Sequence, residues 1–305
     1  MLFQAVVFNS AFEPVSGKEE SLYNSLCRFL RDVCKSGTIL IDDQGEILKQ
    51  LRLSTQKWND LENFIEGVQA GSDLNRLLRV LEQKNRLLTT SSEPQDLDCA
   101  SVSCHKYFEI AQSQKPEFLI TDQNCFNCAG DHLSGVEETQ VIKIDVYDHN
   151  QDFQRWADLR GFCSLEGWTQ QDFEEKILIP LFRSTENVFL LDKQMGRYCH
   201  NNSGYIATIK WLLNVFKKYS RPPHDGLFEL HIHQVQRPDF LHAFEQEMKS
   251  LHPGFGVKLN SHYAHDRFLR TDQAEIAIGR GFDLLQDHTA PYPCKIRDTT
   301  IAYID

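Results

Sequence analysis

With 305 residues, the chain has room for two ordinary domains. Hydrophobic residues make up 41% of it and charged residues 25%, which allows packed cores and excludes wholesale disorder. No stretch reaches the roughly 18–20 apolar residues of a membrane span, and Met1 to Phe12 lacks the basic start of a secretory signal, so a cytoplasmic protein without a transmembrane segment is expected.

The net charge of −11 is unevenly placed. From Glu186 onward 14 Lys and Arg balance 14 Asp and Glu, so the whole excess lies in the first 185 residues. Nine of the twelve histidines fall in the neutral C-terminal part. Excess acid repels a polyanion, which points any phosphate chemistry to that part. Nine cysteines, an odd count, suit a reducing compartment better than a disulfide framework.

In chain order, the apolar run Leu2 to Phe8, ending at Asn9, reads as a buried strand. Leu22, Leu26, Phe29, Leu30 and Val33 share one helical face, and Gly37 stops that helix. Thr38 to Ile41 is a second strand, followed by the turn Asp42-Asp43-Gln44-Gly45. Helical spacing resumes near Trp58, Leu61, Phe64 and Ile65, and again at Leu74, Leu77, Leu78 and Leu81. Thr89 to Gln95 reads as a loop, and a helix follows Asp98. Phe118-Leu119-Ile120-Thr121 is a third strand, closed by Asp122. Strands alternating with helices predict a parallel α/β sheet whose sites gather at the C-terminal strand ends.

The small and acidic residues from Ala129 to Gln140 place a boundary between domains of residues 1–136 and 141–305. The second half is expected to open with the strand Val141 to Val146 and to continue through helices at Asp152–Asp158 and Gln170–Ile177. A strand at Val188 to Leu191 and a helix at Tyr205 to Tyr219 follow. Phe228 to Ile232, Gly256 to Leu259, Glu275 to Ile278 and Thr300 to Ile304 read as further strands, again α/β.

The most informative stretch is His265-Asp266-Arg267-Phe268-Leu269-Arg270-Thr271-Asp272, followed by Gly279-Arg280-Gly281-Phe282-Asp283. It resembles the signature of the phospholipase D superfamily: His, one residue, Lys, four residues, Asp, six residues, Gly-Ser, and an Asn two further on. His265, Arg267, Asp272 and Gly279 fall at those spacings, while Arg267 replaces the Lys, Arg280 the Ser and Phe282 the Asn. The wording is also similar to the phospholipase D-like C-terminal domain attached to MIT modules, which occurs in bacterial conflict systems too.

The resemblance implies a metal-independent phosphodiesterase with a phospholipase D-like α/β fold. His265 would attack phosphorus, Asp272 would orient a histidine ring, and Arg267 would clamp the non-bridging oxygens. Gly279 would let the backbone approach the phosphate, and Arg280 would add a second cation. The leaving group needs a second histidine, supplied by a homodimer or, within the chain, by His231 or His233. The implied substrate is nucleic acid, in an anti-phage defence system with its own protein partners. The alternative is a module that binds phosphate, nucleic acid or a lipid headgroup without cleaving it, as the eukaryotic members are thought to do.

The N-terminal half resembles a PIN-type nuclease fold, which gathers acids at strand ends around Mg²⁺ or Mn²⁺. The first two expected acids are Asn9 and Gln50 here; Asp98 and Asp122 are retained, with Asp42, Asp43 and Glu46 as substitutes. An amide does not replace a carboxylate's charge, so a degenerate PIN-like domain that docks a partner is expected, with a metal-dependent nuclease as the further alternative. Cys99, Cys104, Cys125 and Cys128 offer thiolates for zinc, but the first pair has four intervening residues, so reduced cysteines are expected instead.

Overall fold

The computed structural model describes residues 3–61, 68–91, 102–122, 139–150, 162–183, 185–192, 203–221, 223–233, 238–259 and 267–304. The chain divides into two units, residues 2–157 and 158–305.

In the first unit the opening apolar run forms β1, Phe3–Val7, buried along its whole length. The amphipathic pattern after it forms α1, Glu19–Ser36, with two acids in its first turn and Lys35 in its last, the signs that suit the helix dipole. Then come β2 (Gly37–Asp42), α2 (Glu46–Gln56), α3 (Ala70–Gln83), β3 (Leu87–Thr90), α4 (Val102–Gln114), β4 (Phe118–Thr121) and β5 (Gln140–Lys143). All five strands are parallel, in the order β3-β2-β1-β4-β5. The order reverses beside β1, so the chain leaves β1 and β4 in opposite directions and opens a crevice at their C-terminal ends. Phe3 packs edge-on against Phe118 with ring centroids 5.5 Å apart, and the buried Trp58 donates to the Phe12 carbonyl at 2.7 Å.

Two expectations change here. The strand expected to open the second half is β5, and it continues the first sheet by pairing with β4 from Phe118↔Gln140 to Thr121↔Lys143. Only four residues of it are extended; Ile144–His149 turns into a 3₁₀ helix whose buried Tyr147 packs on Phe29. The first unit therefore runs past the expected boundary at residues 136–141, to residue 157. Thr89 and Thr90, expected in a loop, close β3, an edge strand whose two threonines mask its periodicity. The helix expected at Asp152–Asp158 lies outside the described residues.

The second unit opens with β6, Phe162–Ser164. A helix, α5, starts at Gln170–Phe173 under a capping box between Thr169 and Asp172, widens to a π turn over Glu174–Leu178 and ends at Ile179–Phe182. Next are β7 (Val188–Leu191), α6 (Ser203–Tyr219), β8 (Phe228–Ile232), α7 (Pro238–Leu251), β9 (Phe255–Leu259), β10 (Phe268–Thr271), β11 (Glu275–Ile278) and β12 (Thr300–Ile304). The sheet order is β6-β12-β11-β10-β7-β8-β9. β7, β8 and β9 run parallel, while the pairings of β10, β11, β12 and β6 are antiparallel. Phe216 of α6 packs on Phe228 at 5.5 Å and Phe244 of α7 on Phe255 at 5.9 Å, so both crossover helices lie on one face. The α/β class matches the expectation, with one parallel and one mixed sheet.

Gly226, just before β8, backs onto the Glu186 carbonyl just before β7, and a Cβ there would collide with that backbone oxygen. Since backbone does not yield as a side chain does, Gly226→Ala is expected to cost about 1–3 kcal/mol. Urea unfolding of the two proteins checks this, and equal midpoints would refute it.

Candidate functional site

In the second unit, Arg267, Gly279 and Arg280 come together. With Tyr205, Asp283, Asp298, Thr299 and Thr300 they line an open cleft of about 520 Å³. Arg267 immediately precedes β10, and Gly279 and Arg280 immediately follow its antiparallel neighbour β11. A hairpin of matched strands thus returns residues twelve apart to one edge. The Arg267 Nη1 donates to the Gly279 carbonyl at 2.8 Å. The Gly279 N–H donates to the Thr300 carbonyl at 2.9 Å, and the Arg280 N–H to Thr299 Oγ1 at 3.0 Å, which ties the turn to the start of β12. The Arg280 side chain is exposed.

Asp192, directly after β7, was not among the expected site residues. Its side chain is fully buried, accepts from the Phe282 N–H at 3.2 Å and sits 3.8 Å from Arg267 Nε. Gly281 makes this approach feasible. Its φ of +77° suits glycine, and a Cβ would stand 2.5 Å from Asp192 Oδ2 and run into the Arg267 side chain. Tyr205, at the start of α6, is nearly buried here. Burial first, then the Asp192 and Asp283 carboxylates, push its phenol above the usual value against the pull of Arg267 and Arg280. The signal for Asp192 was in the sequence: Val188-Phe189-Leu190-Leu191-Asp192 is an apolar strand closed by an acid, the same pattern that singled out Asp122.

Three of the expected residues are not brought to the cleft. Asp272 follows β10 at its far end, five residues from Arg267, which is about 16 Å at the usual strand rise. It accepts from the Glu186 N–H at 3.2 Å and is not brought to the Arg267 cleft. His231, the within-chain substitute, pairs in register with Leu191, so alternation points its ring to the face opposite Asp192. Its Nε2 lies 3.0 Å from Glu229 Oε2, and the same carboxylate group meets Lys258 at 2.5 Å. His233 is not among the residues lining the cleft. The expected nucleophile His265 lies outside the described residues.

In the first unit, the C-terminal edge of the sheet carries Asn9 after β1, Asp42 at the end of β2 and Asp122 after β4. Asp42 is 2% exposed. Its Oδ1 accepts from the Ile47 N–H at 2.7 Å and its Oδ2 from the Glu46 N–H at 3.1 Å, capping α2. Lys106 of α4 reaches the same Oδ2 at 2.9 Å and Gln44 Oε1 at 3.1 Å. Burial opposes ionisation of Asp42, but these donors together hold its carboxyl below the usual range. The neighbouring Tyr107, whose phenol is pushed up by burial, donates to Asn9 Oδ1 at 3.2 Å. Gln50 donates to Glu46 at 2.8 Å, and Ser10 to Asp122 at 3.2 Å.

Among the described residues, two of the positions expected to hold Mg²⁺ or Mn²⁺ lack a carboxylate, and Asp42 is already paired. Asn9 and Gln50 stand where acids are expected, and Asp42 is committed to a helix cap and an ammonium group. Asp98 lies outside the described residues, as do Cys99, Cys125 and Cys128 of the zinc expectation; Cys104 is a half-buried thiol on α4. No protein-family model matches the chain, and no curated protein matches it.

Two substitutions test the two carboxylates. Asp192→Asn keeps an acceptor for Phe282 but leaves Arg267 without its buried counter-charge, and is expected to cost about 3 kcal/mol in equilibrium unfolding. The Asp42 carboxyl is held below its unfolded-state value of about 3.9, so its contribution is present above about pH 4 and is lost as pH falls through the folded value. Asp42→Asn should therefore flatten the acid limb of the stability profile. An unchanged slope below about pH 4 in unfolding titrations would contradict this.

Proposed function

We propose that the second unit is a phospholipase D-like domain that recognises a phosphodiester of nucleic acid in the Arg267–Arg280 cleft and cleaves it with His265. The observation that supports this is the convergence of Arg267, Gly279 and Arg280, three positions of the motif, on one open cleft beside the Thr299 and Thr300 hydroxyls. Only one residue, Asp266, separates Arg267 from His265 along the chain. In this reading the His265 imidazole attacks phosphorus, a P–N bond forms and the ester P–O bond breaks, and a second histidine protonates the departing oxygen. Water then hydrolyses the phospho-histidine. Arg280 balances charge on the non-bridging oxygens, and no metal takes part. A homodimer supplies the second histidine, since His231 is bonded to Glu229 on the other face. The motif's likeness to domains of bacterial conflict systems makes an anti-phage effector the proposed setting, with the degenerate PIN-like first unit docking a protein partner.

A specific observation favours a second reading, in which the cleft binds phosphate without turnover. Arg267 gives Nη1 to the Gly279 carbonyl, and its Nε lies 3.8 Å from the buried Asp192 carboxylate, so part of its charge is already balanced within the fold. Labelled RNA and DNA, incubated with the pure protein in EDTA and in Mn²⁺, separate the readings. The first expects cleavage that survives EDTA, is lost in His265→Ala and falls at least about tenfold in Arg280→Ala. Binding that persists without cleavage, in wild type and His265→Ala alike, would establish the second. Cleavage only with Mn²⁺ would overturn both and return the chemistry to the first unit.

A further inference from the structure

The edge of the first sheet holds a buried carboxylate, and something has to balance its charge. We propose that Lys106 is the resident cation of this edge, supplying from within the chain the positive charge that a divalent ion would otherwise bring to Asp42. This concerns the first unit alone and stands whatever the second unit does.

The geometry is that of a small coordination shell. Asp42, with only 3% of its side chain exposed, receives two backbone N–H groups from the first turn of α2 and the Lys106 ammonium at 2.9 Å. That ammonium has a second oxygen ligand in Gln44 Oε1 at 3.1 Å, so it bridges the end of β2 and the turn after it. An ion pair on the open surface contributes little. Here the acid is out of water and its only charged partner among the described residues is Lys106, whose own side chain is two-thirds covered. A buried carboxylate stripped of its partner is strongly unfavourable. The next residue on α4, Tyr107, donates to Asn9 after β1. One turn of α4 therefore fastens the ends of both β1 and β2, the place where a ligand sits in parallel sheets of this kind. An ammonium does this as a point charge with three rotatable donors, and it needs neither the several carboxylates nor the fixed octahedral geometry of Mg²⁺.

Hydrogen exchange on the intact protein tests the assignment, read on the peptide covering α2, Glu46–Gln56. Wild type should exchange equally in EDTA and in millimolar Mn²⁺. Lys106→Ala should exchange at least about tenfold faster in EDTA, because a buried charge has lost its partner. Lys106→Arg, which keeps the charge, should recover part of the protection. In the Asp42→Asn background, Lys106→Ala should add little, since the two side chains act as one pair. Should Lys106→Ala fail to fold, the wild-type comparison and the milder Lys106→Gln carry the test. Mn²⁺ protecting the wild-type α2 peptide would overturn the proposal, as would an equal effect of Lys106→Ala with and without the Asp42 carboxylate.

Discussion

A carboxylate taken out of water at the end of a strand has to be met by donors, and each unit of this chain is arranged around one such group. In the first unit Asp42 is met by the N–H groups opening α2 and by Lys106. In the second, Asp192 is met by the Phe282 N–H and faces Arg267. The costs are similar: several kcal/mol of desolvation per ion, recovered only if the hydrogen bonds are well placed. The solutions differ in what they leave over. Around Asp42 the opposite charge is used up within the fold. Around Asp192 the constraint fixes a turn, Gly279 to Phe282, whose outer side carries the exposed Arg280. A buried acid thus shapes the cleft without lining it.

In the first sheet the strands legible in the sequence are those whose burial makes them continuously apolar. β1, β2 and β4 are central in a parallel sheet, and each reads as a short apolar run. β3, β6 and β10 were not legible. Leu87–Thr90 is an edge strand half made of threonine, and Phe162–Ser164 has only three residues. Phe268–Thr271 alternates as a half-exposed strand should, but it is hidden inside the motif that drew attention for its chemistry. α7 escaped for a related reason: Phe244 and Met248 are its only fully buried apolar positions, too few to set a period. β5 reads as a strand, but it pairs with β4 and not in the second sheet, because an apolar run announces burial and not the partner it pairs with.

The site was legible as spacing and not as geometry. Residues 267, 279 and 280 meet because β10 and β11 form a hairpin whose register returns Arg267 opposite the end of β11. The same spacing carries Asp272 to the opposite end of β10, since it lies five residues on along an extended strand. A motif written as a line of residues does not say which of them share an edge; the strand rise does. Asp192 lay outside the motif altogether, contributed by the neighbouring strand β7, and only the pairing of β10 with β7 brings it to Arg267.

The electrostatics of the two edges separate their chemistry more sharply than the charge balance of the chain. The first 185 residues hold the whole negative excess, yet at the sheet edge the buried charge of Asp42 is neutralised at contact distance. The second half is neutral overall, and the lining of its cleft sets Arg267 and Arg280 against Asp283 and Asp298. A polyanion gains affinity from the cations it meets, each releasing a counter-ion. On the proposed reading that gain would come from the two cleft arginines, of which Arg280 is exposed. A phosphate there would be met by donors of fixed direction, with Arg280 reaching solvent from a turn tied to Asp192 and with the threonine hydroxyls beside it. On the proposed reading the cleft would hold one phosphodiester of a nucleic-acid backbone in a defined pose.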